Sequence, residues 1–281
     1  MDADNENRDA GGARMGNVDC SINNGIATVT FTNPPMGFLT SAMVVQLATI
    51  MTALEDDDAV RVIVFTGGLP DVFIRHFSVE EIIEMAAAIR ARRAKGLPDP
   101  RFARTPLRLV WENVDNCRKP TIAAINGYCG GGGCELALAC DIRLATAGSY
   151  TIGQMEILVG ILPGAGGTAR LARLVGTGKA LEWVLRGRTF YPHEAAAEGL
   201  VHHCIEGDVL AAAHGIAREF LDKPAAALTA IKQVLRSSWG KTTADGVDEE
   251  GDLFANLITQ DERALQMMKD YVAGGHVLKK V

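Results

Sequence analysis

The chain has 281 residues, of which 48% are apolar and 22% charged, and a formal net charge of −6. That balance fits one large folded domain or two small ones, and excludes a disordered, collagen-like or disulfide-scaffold protein. The acidic excess also argues against general nucleic-acid binding, whose affinity comes from Lys and Arg.

Residues 1–16 carry Asp2, Asp4, Glu6 and Asp9 against Arg8 and Arg14, with no apolar run. They read as a flexible tail, not as a secretory signal or an arginine-rich transit peptide. Residues 18–23 and Ile26–Thr32 are β-branched runs joined by Asn24-Gly25, a hairpin signal. The uncharged stretch 20–54 is interrupted by Asn33, Pro34, Pro35 and Gly37, so it is not a membrane span. Within it Met43, Leu47, Ile50, Met51 and Leu54 recur at helical spacing, predicting an amphipathic helix over 39–54 capped by Thr40 or Ser41. The apolar run 60–66 suits a buried parallel strand. A loop over 67–78 and a helix over 78–95 follow, and Pro98 and Pro100 precede a helix over 105–117. A second buried strand, 121–125, leads through Asn126-Gly127 into four glycines at 130–133, where a helix running to Asp141 begins. Residues 142–145 form a further strand, and beyond Pro163 the pattern is helical apart from a strand within 200–205. Strands alternating with helices, then a helical tail, predict an α/β fold with a C-terminal helical module.

Six cysteines, at 20, 117, 129, 134, 140 and 204, include no CxxC pair, so no metal site is expected. Reduced, buried thiols are expected instead, and with them a reducing, cytoplasmic compartment. The 30 glycines exceed the roughly 20 that an average composition would give. Two clusters stand out, 130–133 and 164–167, and neither has the spacing of a dinucleotide fingerprint or a P-loop. Glycine amides opening a helix leave unpaired N–H groups at the positive end of its dipole, with no Cβ to block an approaching group. Such a run builds either an oxyanion hole or only a tight strand-to-helix turn.

The segment from Lys119-Pro120 through Asn126-Gly127-Tyr128, the glycines 130–133 and Glu135 to Cys140-Asp141 resembles the signature of the crotonase (enoyl-CoA hydratase/isomerase) family. Gly153-Gln154-Met155-Glu156, with Gly160, Pro163, Gly167 and Arg170, is similar to the family's second block, and Arg186-Gly187-Arg188 with residues 195–201 to its third. The resemblance implies a spiral of repeated ββα turns over 17–215 that carries the active site. It also implies a C-terminal helical trimerisation module over 216–281, packing homotrimers or hexamers made of two trimers. The implied substrate is an acyl-CoA, with coenzyme A part of the substrate and no separate cofactor; no metal and no membrane partner are expected, and the net charge of −6 counts against a nucleic-acid partner. Hydratase members of the family add water across a trans-2-enoyl-CoA thioester. Carried onto this chain, the enolate is held by the backbone N–H groups of Phe77 and Gly132, and Glu135 and Glu156 are the acid/base pair. Substrate contacts fall on Phe38, His76, Ser78, Val79 and Gly131.

The two glutamates support that role by their own surroundings. Hydration needs a base for water and an acid for the α-carbon, which two carboxyls in unlike environments supply. Glu135 lies in a nearly uncharged stretch, 121–139, and Glu156 sits among apolar residues. The alternative is a buried glutamate paired with an arginine such as Arg143 or Arg170, although Arg170 and Asp141 themselves read as local pairing residues. Several positions depart from the family pattern. Arg75 and His76 replace small residues, Phe77 and Phe38 replace alanines, and Met36 and Glu80 stand where cations near the coenzyme phosphates are usual. His76 is either a third acid/base group or polar substrate contact, or a loop histidine turned to solvent. Arg90, Arg92, Arg93, Lys95, Arg101, Arg104 and Arg108 oppose Asp99 alone, giving a solvated face or a clamp on the nucleotide of coenzyme A. An isomerase, a CoA-independent carbon–carbon bond hydrolase and an RNA-binding homologue using residues 90–108 are the competing readings.

Overall fold

The Asn24-Gly25 turn opens the fold as its sequence predicts. In the computed structural model, which describes residues 16–100 and 105–277, β1 (Asn17–Asn23) and β2 (Ile26–Thr32) pair antiparallel with Asn23 opposite Ile26. Asn24 and Gly25 both have positive φ, 48° and 79°, the turn geometry that matches the twist of the strands. The expected tail, Gly16 apart, lies outside the described residues, as do Arg101 and Arg104. α1 (Ser41–Asp56) is capped by Thr40, whose side chain accepts from the Met43 N–H, and it buries Met43, Leu47, Met51 and Leu54.

β3 (Val62–Gly67), β5 (Thr121–Ile125), β7 (Ile142–Thr146) and β10 (His203–Ile205) extend the hairpin into a six-stranded sheet. Its order is β1-β2-β3-β5-β7-β10, parallel from β2 onward. Successive residues serve two cores. Ile63 and Phe65 pack in one core with Trp111 of α3 (Pro106–Asn116) and Leu136 of α4 (Gly132–Ala139). Val62 and Val64 pack in the other with Val209, Ala213 and Ala217 of α8 (Val209–Leu221). Both faces are covered, which is why these strands are continuously apolar. The expected boundary between 215 and 216 falls inside α8, whose buried residues lie on both sides of it.

A second sheet runs through segments that the sequence presents as loops and turns. β4 (Asp71–Ile74), β6 (Gly127–Gly130), β8 (Ile152–Gly153) and β9 (Thr189–Phe190) are ordered β4-β6-β8-β9. The pairs β3/β4, β5/β6 and β7/β8 each send one strand to either sheet before the chain turns into helix, the repeated ββα turn that the resemblance implies. α2 (Val79–Ala94), capped by Ser78, follows β4. A 3-10 helix (Glu156–Val159), α5 (Gly167–Val175) and α6 (Thr177–Arg186) follow β8, and α7 (Pro192–Ala197) precedes β10. The C-terminal helices are α9 (Ala225–Ser237), α10 (Thr243–Gln260) and α11 (Glu262–Ala273). α10 and α11 bury none of their residues and leave Val247, Phe254, Met267 and Tyr271 exposed.

Among the described residues no helix is long and apolar enough to cross a membrane, and no cluster of metal-ligating side chains occurs. The six cysteines are free. Burial pushes the Cys134 and Cys140 thiols up to about 12, so these are inert packing groups. Cys20 is exposed and Cys204 only half-buried, so the expectation of buried thiols fails at those two.

Candidate active site

The carboxyl ends of β4, β6 and β8 open into a cavity of about 510 Å³. Seven of the residues singled out from sequence line it together: His76, Phe77 and Val79 after β4, Gly131, Gly132 and Glu135 after β6, and Glu156 after β8. Apolar side chains of α1, α2 and the segment after Glu156, among them Val44, Ile82, Leu158 and Leu162, complete the wall.

Two backbone amides beside this space have no acceptor among the described residues. Leu39 donates to the His76 carbonyl and receives the Ser78 N–H on its own, both at 2.8 Å, which leaves the intervening Phe77 N–H free. Gly130 donates to Arg75 and Gly131 to Gly153, both at 3.1 Å, and the next amide, Gly132, opens α4 with no acceptor among the described residues. Gly131 makes this turn with φ at +47°, a left-handed conformation that favours glycine. A Cβ placed on Gly132 would lie 3.5 Å from the Phe77 nitrogen, so the two nitrogens are within about 6 Å of each other by backbone geometry. Two converging, unsatisfied donors are what an oxyanion requires.

The two carboxyls sit beside these donors in unlike surroundings. Glu135, on α4, is 2% exposed, and its Oε1 accepts the Ala165 and Gly167 N–H groups at 2.8 and 2.9 Å. Burial pushes its pKa up, while those two hydrogen bonds and the Arg170 charge oppose the shift. Glu156 opens the 3-10 helix. Burial raises it to about 7, backbone amides at Met155 and Glu156 oppose this, and the nearby Glu135 carboxylate adds to the rise. The Gln154 carboxamide faces it: with the nitrogen toward Glu156 it donates at 2.8 and 3.1 Å, and turned over it accepts the proton of the acid form. Among the described residues neither glutamate is paired with an arginine. Arg143 is spent on the Leu200 and Cys140 carbonyls at 3.1 and 2.9 Å, and Arg170 on Asp115 and the Ala165 carbonyl, both at 2.6 Å.

Residues 21–274 match the sequence profile of the family described as enoyl-CoA hydratase/isomerase. The chain belongs to this family, the crotonases. A protein of Rhizobium meliloti described as a probable enoyl-CoA hydratase is 32% identical over 241 residues, 85% of this chain and 88% of that one. Enoyl-CoA hydratase domain-containing protein 2 of Bos taurus, a mitochondrial protein, is 34% identical over 249 residues, 85% and 79% of the two chains. The crystal structure of an enoyl-CoA hydratase from Bacillus anthracis superposes with a TM-score of 0.79 at 28% identity, covering 92% of this chain and 96% of the other. The mixed sheets and C-terminal helices are thus those of the crotonase fold, and the chain is an enoyl-CoA hydratase-like enzyme. Membership does not decide the compartment, since relatives include a mitochondrial one.

In this crotonase, Phe38 and Ser78 do not line the cavity. Ser78 caps α2 through its bond from the Glu81 N–H, and Phe38 lies against the His76 ring with centroids 4.6 Å apart. His76 is neither turned away nor loose: it lines the cavity while its Nδ1 contacts the Phe77 carbonyl at 2.8 Å. Arg93 pairs with Asp99 and Arg108 with Glu112 on the surface, the behaviour of a solvated face. Asp141 pairs locally with Thr121, Lys232 and Arg236. Sequence reasoning overlooked Tyr128, which lines the cavity, and Gln154, buried behind it against Glu156. The signal for Gln154 was Gly167, where a Cβ would come within 2.8 Å of the Gln154 carboxamide.

Proposed function

We propose that the chain is a hydro-lyase that adds water across the double bond of a trans-2-enoyl-CoA thioester. The observation that carries this reading is the convergence of two free amides and two unlike carboxyls on one cavity. The thioester carbonyl accepts from the Phe77 and Gly132 N–H groups, which stabilise negative charge as it develops on that oxygen. Glu135, held toward its carboxylate form by two N–H donors, takes a proton from water as the oxygen attacks the β-carbon. Glu156, whose pKa near 7 keeps it substantially protonated, delivers a proton to the α-carbon. Every proton is accounted for: one leaves water for Glu135, one leaves Glu156 for carbon, and exchange through solvent resets the pair. Coenzyme A enters as part of the substrate, and no other cofactor has a step to perform.

Self-association into trimers belongs to the same proposal. Leu158, Leu162, Leu181 and Leu185, on and around the 3-10 helix and α6, are 55–70% exposed; Gly187 sits under Leu158 where the two segments meet. Adjacent apolar side chains of this kind are an association surface in a soluble protein. The test of the chemistry is loss of the conjugated enoyl absorbance with a panel of enoyl-CoA esters. Glu135→Gln and Glu156→Gln are each expected to lower kcat by about 10²–10⁴-fold with the fold retained by circular dichroism. A wild-type protein inactive on the whole panel overturns the reading.

A further inference from the structure

Several arginines of this fold are satisfied where they stand. Arg143 is enclosed by main-chain carbonyls, Arg170 is held by Asp115, and Arg93 and Arg108 each have a carboxylate. Arg75 is different. It leaves the end of β4 in the wall of the catalytic cavity, half-buried, and among the described residues its side chain has neither a carboxylate partner nor a hydrogen-bond acceptor. Its guanidinium carbon lies 4.9 Å from the centre of the Tyr128 ring, a cation–π contact that positions the charge without cancelling it.

The platform beneath it is built. The Tyr128 hydroxyl donates to Met155 Sδ at 3.0 Å. Gly130 lies between them: a Cβ there would come within 2.8 Å of Met155 Sδ and 3.1 Å of Tyr128 Cε1, so only glycine lets the ring and thioether close over the strand. The remaining walls are largely apolar. When a ligand fills such a cavity it displaces the water that solvates the guanidinium, and an unpaired buried cation is costly unless the ligand brings an anion. A planar guanidinium suits a carboxylate or phosphate, which it can grip through two parallel N–H bonds.

We propose that Arg75, seated on Tyr128, binds an anionic oxygen group of the substrate, either a carboxylate at the end of the acyl chain or a phosphate of the coenzyme. This deepens the thioester reading and rests on it for the identity of the ligand. His76, next in sequence, has its Nδ1 committed to Phe77 and its ring to Phe38, so Arg75 is the anion-binding member of the two.

The test uses saturated thioesters, which occupy the site and cannot be hydrated. Calorimetric dissociation constants of butyryl-CoA, glutaryl-CoA and butyryl-pantetheine are measured for the full chain and for Arg75→Gln and Arg75→Lys. A phosphate contact weakens both CoA esters roughly tenfold or more in Arg75→Gln and leaves butyryl-pantetheine unchanged. A carboxylate contact weakens glutaryl-CoA alone by that factor. In either case Arg75→Lys, which keeps the charge and loses the fork, lies between. Equal loss on all three ligands, no loss on any, or no binding by the wild type overturns the proposal. Turnover of crotonyl-CoA by the same preparations separates the two readings: binding that depends on Arg75 without turnover overturns the hydratase and leaves this site standing, and turnover with Arg75-independent binding does the reverse.

Discussion

Replacing Glu156 by glutamine is expected to lower kcat by about 10²–10⁴-fold and, at alkaline pH, to stabilise the protein. The folded chain holds this carboxyl at about 7, against 4.5 for the group in water. A proton held more tightly in the folded than in the unfolded state stabilises the fold below the unfolded value. That contribution disappears as pH climbs from there and is gone once pH exceeds the folded value. At about 1.4 kcal/mol per pH unit the full penalty is about 3 kcal/mol, and the side chain's partial contact with cavity water reduces it to roughly 1–2 kcal/mol. Glutamine removes the ionisation and keeps an amide able to pair with Gln154, so the penalty vanishes with it. For a chain of this size 1 kcal/mol moves Tm by about 2–4 °C. Scanning calorimetry at pH 8 should therefore place Glu156→Gln roughly 2–8 °C above wild type, with the two converging near pH 4.5. A variant less stable at pH 8, or equally stabilised at both pH values, would refute the burial argument whatever happens to its activity.

The same carboxyl sets a pH limb: if Glu156 is the proton donor, kcat falls as pH rises through about 7, and a rate level from pH 6 to 9 contradicts its role as acid. Gly132→Pro deletes one amide at the first residue of α4, where proline fits a helix, and should cost about 10²–10³ in kcat. Gly132→Ala, whose Cβ would meet only ordinary contacts at 3.5 Å or beyond, keeps the donor and most of the rate; equal losses in the two variants would remove the oxyanion role. Leu158→Glu with Leu185→Glu, at positions 65% and 68% exposed, should yield a folded monomer by sedimentation, and an unchanged assembly would place the association surface elsewhere.

The large sheet was legible because its strands are long enough to show a pattern and buried on both faces, as with the run Val62–Gly67. The hairpin, the spacing of α1 and the two glutamates were legible for equally local reasons. The small sheet was not, because its strands span two to four residues and are punctuated by glycine. At Gly127 a Cβ would overlap the Asp71 carbonyl. The glycine that admits the neighbouring strand is thus the residue that reads as a turn. The unlike surroundings of the glutamates were hidden for another reason: the donors to Glu135 are the main-chain N–H groups of Ala165 and Gly167, which have no side-chain signature. Arg75 was visible only as a departure, and its lack of a partner is a fact of three dimensions.

Why Glu135 rather than Glu156 should be the base follows from what lies behind it. Arg170 donates to the Ala165 carbonyl, fixing the loop whose amides hold Glu135, and is itself held by Asp115. Arg236 of α9 bridges Asp115 and Asp141 and donates to the carbonyl of Ala139, the last residue of the helix that carries Glu135. Lys232, one turn earlier on α9, also pairs with Asp141. Three cations thus face two carboxylates, and Arg170 is the member of this network whose charge acts to lower the Glu135 pKa. Among the described residues no cation stands in that relation to Glu156, which is governed by burial, main-chain amides and the other carboxylate. In the proposed mechanism the base is therefore held by a cluster on α3, α5 and α9, and α9 links the C-terminal helices to the site.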